Sequence, residues 1–269
     1  MFICPVCGKR LKMGHKTAVC QNGHSFDKAK SGYINLLMSQ KSALKRHGDD
    51  KLMVKARAEF LERGHYSPLA EKIFKSALPY GKKGGAVLDA GCGECYYSSY
   101  LRDRLYEEGF EMEFYGTDIS KDALMQGAKR GGGIHLAVAS TAHLPFDDDS
   151  FDIVINVFSP LSKDCARVLK KDGALIKAVP RERHLIELKE AVYKNVYLNP
   201  AVKEQAEGLV LTGRDYIDQR LELSGEDLQN LFKMTPYYYK TSREGQIKME
   251  NLDSLTVSLE FALLIYKKA

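Results

Sequence analysis

Apolar and polar positions alternate along this chain between two spacings, which divide most of it into short buried runs and longer amphipathic ones. Ala86–Asp89, Glu113–Ser120, His135–Ala139 and Phe151–Asn156 are compact apolar runs that read as strands. Between them, Cys95–Gly109 and Lys121–Lys129 carry helical periodicity. Ala166–Ile176 reads as a helix passing into a fifth strand, with an Asp172-Gly173 turn. Strands alternating with helices over most of this stretch predict an α/β fold with a doubly wound parallel sheet. Ahead of it, Asp50–Leu61 reads as a helix with Leu52, Met53, Ala56, Phe60 and Leu61 on one face, closed by Gly64. Ser67 as cap and Pro68 in the first turn open a second helix to Ala77. Beyond the fifth strand come a helix from His184 to Tyr193, an inserted strand over Arg214–Leu221 and a helix from Ser224 to Met234. Tyr237–Tyr239 and Ser254–Tyr266 read as a closing antiparallel pair.

The chain is organised around Asp89-Ala90-Gly91-Cys92-Gly93-Glu94. A buried strand ends in an acid, turns through two glycines and enters a helix, an arrangement that turns backbone amides toward a ligand. Without a Cβ at Gly91 and Gly93, that ligand can lie against the backbone itself. The third glycine of a dinucleotide fingerprint is replaced by Tyr96, and Asp89 would repel a pyrophosphate while suiting a cationic amino-acid group. The pattern resembles motif I of the class I S-adenosylmethionine-dependent methyltransferases. Asp118, at the end of the next strand, is placed to accept ribose hydroxyls, or else to cap the helix that follows. Ser140 stands where those enzymes commonly carry an acid for the adenine amino group, so adenine is held by Ser140 or by backbone and shape. Asn156–Pro160 occupies the strand tip where target and methyl donor meet in that fold. Cys92 and Cys95 read as small packing residues.

At 269 residues the chain has room for one full α/β domain and a small module. No apolar run is long enough to span a membrane, and Met1–Pro5 does not read as a secretory signal, so a soluble, cytoplasmic protein is expected. The net charge of +5 conceals an asymmetry, because residues 1–83 hold 17 Lys and Arg against 6 Asp and Glu. A basic first third on a mildly acidic remainder suits a polyanionic partner, although charge alone also describes a solvated surface.

Six cysteines in a cytosolic-looking chain favour metal binding over disulfides. Cys4 and Cys7 form a C-x2-C knuckle, and Cys20 and His24 supply a second pair after a short hairpin built on Arg10-Leu11 and Ala18-Val19. These four ligands, at these spacings, predict a closed structural zinc site; His15, at the hairpin tip, is the alternative fourth ligand. Phe26, Tyr33 and Leu36-Leu37 suit either base stacking or packing. Gln40–Asp50, with Lys41, Lys45, Arg46 and His47, reads as a basic loop and candidate RNA clamp. The expected organisation is 1–37 as the zinc module, 38–83 as a basic linker with helices, and 84–269 as the methyltransferase domain.

Together these segments resemble the 23S rRNA (guanine-N1)-methyltransferase family over nearly the whole chain. The resemblance rests on C-P-x-C-G, C-x2-G-H-x-F-D, G-Y-x-N-L-L, R-x-x-F-L-x-x-G-H-Y-x-P-L, D-x-G-C-G-E and R-H-L-x-E-L-K. It implies methylation of guanine N1 in a hairpin of 23S rRNA by a homodimer with a basic cleft. It also implies zinc on Cys4, Cys7, Cys20 and His24, and S-adenosylmethionine contacts from Tyr66, Gly93, Glu94 and His184. Catalytic residues are left unassigned, with Asn156 and His184 as candidates for the base. The competing readings are a methyltransferase of tRNA or a small molecule, and a non-catalytic zinc-ribbon RNA-binding protein.

Overall fold

A computed structural model describes residues 1–38, 48–130 and 132–269. The basic residues Lys41, Lys45, Arg46 and His47 lie outside the described residues.

Three short strands form the head: β1 (Leu11–Met13), β2 (Thr17–Cys20) and β3 (Ser25–Asp27), antiparallel in that order. Almost nothing in them is buried except Ala18 and Cys20, so the head has little core of its own. It leans on the larger sheet instead. Phe2 stacks on Phe146 at 5.1 Å and meets Tyr115 edge-on at 5.6 Å. The two-residue strand β4 (Ile34–Asn35) then joins that sheet as its parallel edge. Phe26 packs beside the same core, Tyr33 and Leu37 cover a smaller cluster, and Leu36 is buried, so these residues pack rather than offer faces for stacking.

Helix α1 (Lys51–Glu62) is capped by Asp50, whose carboxylate accepts from the Met53 amide at 3.0 Å. Leu52, expected on its buried face, is exposed. Helix α2 (Ser67–Ala77) begins one residue earlier than expected: Tyr66 holds the cap position, without a side-chain bond, and Ser67 is the first helical residue.

The parallel core alternates as the sequence predicts: β5 (Ala86–Ala90), α3 (Tyr96–Glu107), β6 (Glu113–Asp118), α4 (Lys121–Gly127), β7 (Ile134–Val138), β8 (Phe151–Val157), α5 (Lys163–Val168) and β9 (Leu169–Pro180). Every residue of β5 and β8 is buried, the signature of parallel strands covered on both faces. Asp172-Gly173 does not turn the chain. Both residues lie within β9, beside a register shift opposite Phe151 and Ile153, and Gly173 is required there because a Cβ would sit 2.7 Å from the Asp152 carbonyl oxygen.

The remaining elements are α6 (Ile186–Val192), β10 (Leu209–Ser224), α7 (Gly225–Lys233), α8 (Pro236–Lys240), α9 (Arg243–Glu250) and β11 (Ser254–Lys268). The tyrosine run is therefore not a strand. Pro236 starts a helical turn that carries Tyr237–Tyr239, and the partner of β11 is β10, longer than the expected Arg214–Leu221. The complete sheet runs β10-β11-β9-β8-β5-β6-β7-β4, in which β11 runs antiparallel to both of its neighbours and the other pairings are parallel. Its order reverses at β5, so the crevice at the carboxyl ends of β5 and β8 is where an open α/β sheet takes a ligand. Among the described residues, no helix is long and apolar enough to cross a membrane.

Candidate cofactor and metal sites

The chain leaves β5 through Gly91 at φ +89° and Gly93 at φ +53°, then Cys95 at φ +65° opens α3. The turn folds down onto β6. Gly91 and Cys92 donate their amides to the Thr117 carbonyl at 2.8 and 3.0 Å, and Gly93 donates to Asp118 Oδ2 at 2.9 Å. The amides expected to face a ligand are therefore spent inside the protein, and the first amides of α3 remain without acceptors in their own helix. Gly91 is also not an open floor, because a Cβ there would meet Ser159 Oγ at 2.3 Å. At Gly93 the nearest atom to such a Cβ is an Arg57 guanidinium nitrogen, 3.7 Å away.

Three acids surround this turn, Asp89 and Glu94 buried and Asp118 half-buried. Asp89 accepts from Ser98 Oγ at 2.5 Å through one oxygen, while Oδ1 has no partner. Burial pushes its pKa up to about 7, and the negative charges of Asp118 and Glu94 add to the rise. Asp118 accepts from Gly93 and, through Oδ1, from the Ser120 amide at 2.8 Å; burial raises its pKa as well. Each of its oxygens keeps a second lone pair for a hydroxyl donor. Ser120 itself caps α4. Burial likewise raises Glu94, against the opposing pull of Arg57 and Arg130. Arg57, on α1, is the cation that Glu94 and Asp118 share; it does not act on Asp89. It lies 2.6 Å from Asp49, and although burial disfavours its charge, Asp49 and Glu94 keep it protonated.

The buried side-chain oxygens without a hydrogen-bond partner are concentrated here. Among the described residues they are Asp89 Oδ1, Tyr97 Oη, Ser99 Oγ, Thr117 Oγ1 and Asn156 Oδ1. All lie near the carboxyl ends of β5, β6 and β8 or in the first turn of α3. A polar ligand in this crevice would complete them.

Tyr66 and His184 form a second group, joined to the first through aromatic rings. Tyr66 is buried, 5.1 Å from Phe261 and 6.4 Å from Phe158. Phe261 in turn lies 4.5 Å from the His184 ring. His184 does not start a helix; α6 begins at Ile186 after Leu185 at φ +56°. Its Nδ1 accepts from the Glu260 amide at 3.2 Å, and burial, with Lys189 nearby, lowers its pKa to about 3. It is a neutral imidazole at physiological pH. Ser140 follows β7 and accepts from the Ala142 amide at 3.2 Å; the preceding residue, Ala139, donates to the Asp118 carbonyl, which sets Ser140 beside the Asp118 strand end. His65 is structural, 3.0 Å from Asp227 and tilted against Phe60. Cys92 and Cys95 are buried packing residues.

Three participants escape the sequence reading: Arg57, Ser98 and Tyr97. Arg57 opens the R-x-x-F-L segment and was visible there, but no local pattern reveals which loop a helical arginine faces.

In the head, Cys4, Cys7, Cys20 and His24 bring their ligand atoms within 4.8 Å of one another. Cys4 Sγ and His24 Nδ1 are 3.5 Å apart, Cys7 and Cys20 sulfurs 3.6 Å, and Cys20 Sγ and His24 Nδ1 3.4 Å. Thiolates bound tetrahedrally at about 2.3 Å would stand roughly 3.7 Å apart, so this quartet fits a metal of zinc's size. Burial opposes ionisation of Cys20, yet the Asn22 and His24 amides bring its pKa down to about 6, favouring the thiolate a metal needs. His15 lies exposed at the hairpin and outside the quartet.

Residues 2–44 match the family model described as "RlmA, N-terminal", and residues 87–173 match a methyltransferase domain. YxjB of Bacillus subtilis (strain 168), named provisionally as a 23S rRNA (guanine-N(1)-)-methyltransferase, is 30% identical over 100% of this chain and 97% of its own. The 23S rRNA (guanine(748)-N(1))-methyltransferase of Streptomyces fradiae is 34% identical over 70% of this chain and 66% of its own. Among solved structures, a chain from the Haloferax volcanii complex of the Trm112 activator with a provisionally assigned methyltransferase superposes with a TM-score of 0.51. That match covers 82% of this chain and 99% of the other at 21% identity, a likeness of fold.

Proposed function

The chain belongs to the 23S rRNA (guanine-N1)-methyltransferase family, and we propose that it transfers a methyl group from S-adenosylmethionine to N1 of a guanine in a hairpin of 23S rRNA. The observation that carries this reading is the set of unpartnered buried oxygens around the Gly91–Gly93 turn, led by Asp89 Oδ1. An acid without a cation, held at the carboxyl end of the central strand, suits a ligand that brings its own positive charge. When bound, S-adenosylmethionine supplies an electrophilic sulfonium methyl.

The residues of the chain then bind and orient. Asp118 offers its spare lone pairs to ribose hydroxyls, and Asp89 faces the cationic end. Tyr66, Glu94, Ser140 and His184 complete the reading of the cofactor site. Asn156, whose Nδ2 donates to the Ala90 carbonyl at 2.8 Å, is fixed at the tip of β8 with Oδ1 unpartnered. Holding a base and a methyl carbon in line at contact distance is worth about 7–11 kcal/mol of barrier, more than any single acid or base in this crevice supplies. His184 is a poor general base, because burial keeps its proton affinity low and its Nδ1 is engaged.

Exposed Lys9, Lys12, Lys16 and Lys30 on the head suit RNA phosphates, and the Cys4–Cys7–Cys20–His24 quartet holds zinc that shapes this surface. Because N1 lies inside a paired duplex, the target guanine must be unstacked or in a loop.

The test incubates unmodified 23S rRNA with the full chain and methyl-labelled S-adenosylmethionine, then digests the RNA to nucleosides. Label is expected in 1-methylguanosine. Label in another nucleoside, or on tRNA or a small acceptor alone, would overturn the substrate, and no label anywhere would overturn the enzyme.

A further inference from the structure

We propose that Phe158 is the platform on which the target guanine stacks, an inference that deepens the activity proposed above and rests on it. Phe158 immediately follows β8 and holds φ +56°, a backbone conformation that a bulky side chain rarely adopts. Such strain persists only where the surroundings impose it, and it gathers at functional sites. Here the surroundings do impose it. The Phe158 amide donates to the Ala178 carbonyl at 3.0 Å on one side, and Asn156 and Ser159 are both tied to the Ala90 carbonyl on the other.

The result is a large aromatic ring pushed outward, 43% exposed, at the one end of the sheet where the crevice opens. It is not loose. Phe261 supports it at 5.4 Å, and Tyr66 and Tyr97 meet it edge-on at 6.4 Å each. A ring braced by three others, with solvent on its free side, offers a flat apolar surface of the kind that stacks an unpaired base. The sheet order identifies which base. Asp118 and Ser140 follow β6 and β7, on one side of β5, so the nucleoside part of the cofactor belongs there. Phe158 follows β8, on the other side. The ring therefore faces the incoming acceptor.

The chain contains no tryptophan, so Phe158→Trp carries the protein's only indole, placed at the proposed stack. The experiment uses the full chain, 23S rRNA as probe, and S-adenosylmethionine affinity measured separately. Phe158→Ala is expected to lose about 10- to 100-fold in kcat/KM for the rRNA while its cofactor affinity stays at the wild-type value. Phe158→Trp is expected to retain transfer, and its emission to be quenched on adding the rRNA. Transfer by Phe158→Ala at the wild-type rate overturns the proposal, as does an active Phe158→Trp whose emission the rRNA leaves unchanged. A fall in cofactor affinity that accounts for the whole loss in Phe158→Ala also overturns it, by assigning the ring to the cofactor. A wild-type chain that methylates no 23S rRNA overturns the activity reading itself and this inference with it, whereas an active wild type together with any of those contrary results in the variants overturns the inference alone.

Discussion

Replacing Cys20 by alanine unfolds the three-stranded head and abolishes methyl transfer to rRNA, while the large sheet keeps a melting transition of its own. The head's strands are three or four residues long, and Ala18 and Cys20 are their buried residues. So small a sheet cannot offset the entropy of ordering its chain. Structural zinc binds small modules with an apparent free energy of about 10–16 kcal/mol, and that energy is their folding energy. Cys20 sits at the centre of the quartet, near both the Cys7 sulfur and His24 Nδ1. Its loss leaves three ligands and one open corner. The large sheet keeps that transition because β5, β8 and β9 are bonded to one another and do not pass through the metal, but at a lower temperature, since Phe2, Ile34 and Leu36 leave its core with the head. Metal content by elemental mass spectrometry, proteolysis of residues 1–37 and a thermal melt of the whole chain measure the three parts separately. Stripping the wild type with a strong chelator should reproduce the variant. A head that resists protease without metal would refute this account of why residues 1–37 fold.

Asp118→Ala lowers affinity for S-adenosylmethionine by about 100-fold and leaves the ligand-free melting temperature within a few degrees of wild type. The two effects separate because Asp118 serves binding more than folding. Its carboxylate fixes Gly93 and Ser120 through their amides, and on the proposed function its remaining lone pairs would accept from the ribose hydroxyls. Hydrogen bonds to a charged group contribute about 1.5–3 kcal/mol each, so losing two reaches that factor. Against the fold, removal of an acid whose pKa burial has raised relieves an unfavourable charge beside Asp89 and Glu94. Asp118→Asn, which keeps the shape, should fall between the two in affinity. Equilibrium binding and a melt in the absence of ligand check both halves. An alanine variant that binds normally would remove Asp118 from the site.

Much of this was legible before any coordinates. Gly91 and Gly93 between a buried strand and a helix fix the turn through sterics alone, and the strand ends Asp89 and Asp118 follow from the same local pattern. The metal quartet is a matter of spacing along a short hairpin. The misreadings share a cause, since each depended on distant partners. Tyr237–Tyr239 have strand propensity, but Pro236 begins a helical turn, and β11 already pairs with β10 and β9. Asp172-Gly173 resembles a turn, yet it lies within β9, in the register shift where that strand passes Asp152. His184 suits a helix start by composition. The αL backbone at Leu185 delays the helix, and β11 claims the imidazole nitrogen. Two-residue β4 carries no periodicity at all; it is a strand only because β7 offers an edge. Arg57 was hidden for the same reason, because its role comes from Asp49 and from the loop it overhangs.

The pKa of Asp89 provides the most direct measurement. A carboxyl raised to about 7 by burial costs the ligand-free protein stability as pH rises through that value, because the ionised form is the disfavoured one. A bound cation reverses the preference, so binding below neutrality must expel a proton. Calorimetric titration of the full chain with S-adenosylmethionine at about pH 5.5 and about pH 7, below the cofactor's own ammonium titration, reads this linkage. The expected result is one saturable site per chain, roughly tenfold tighter at the higher pH, with proton release that Asp89→Asn removes. No saturable heat at either pH would contradict the placing of the cofactor at the Gly91–Gly93 turn.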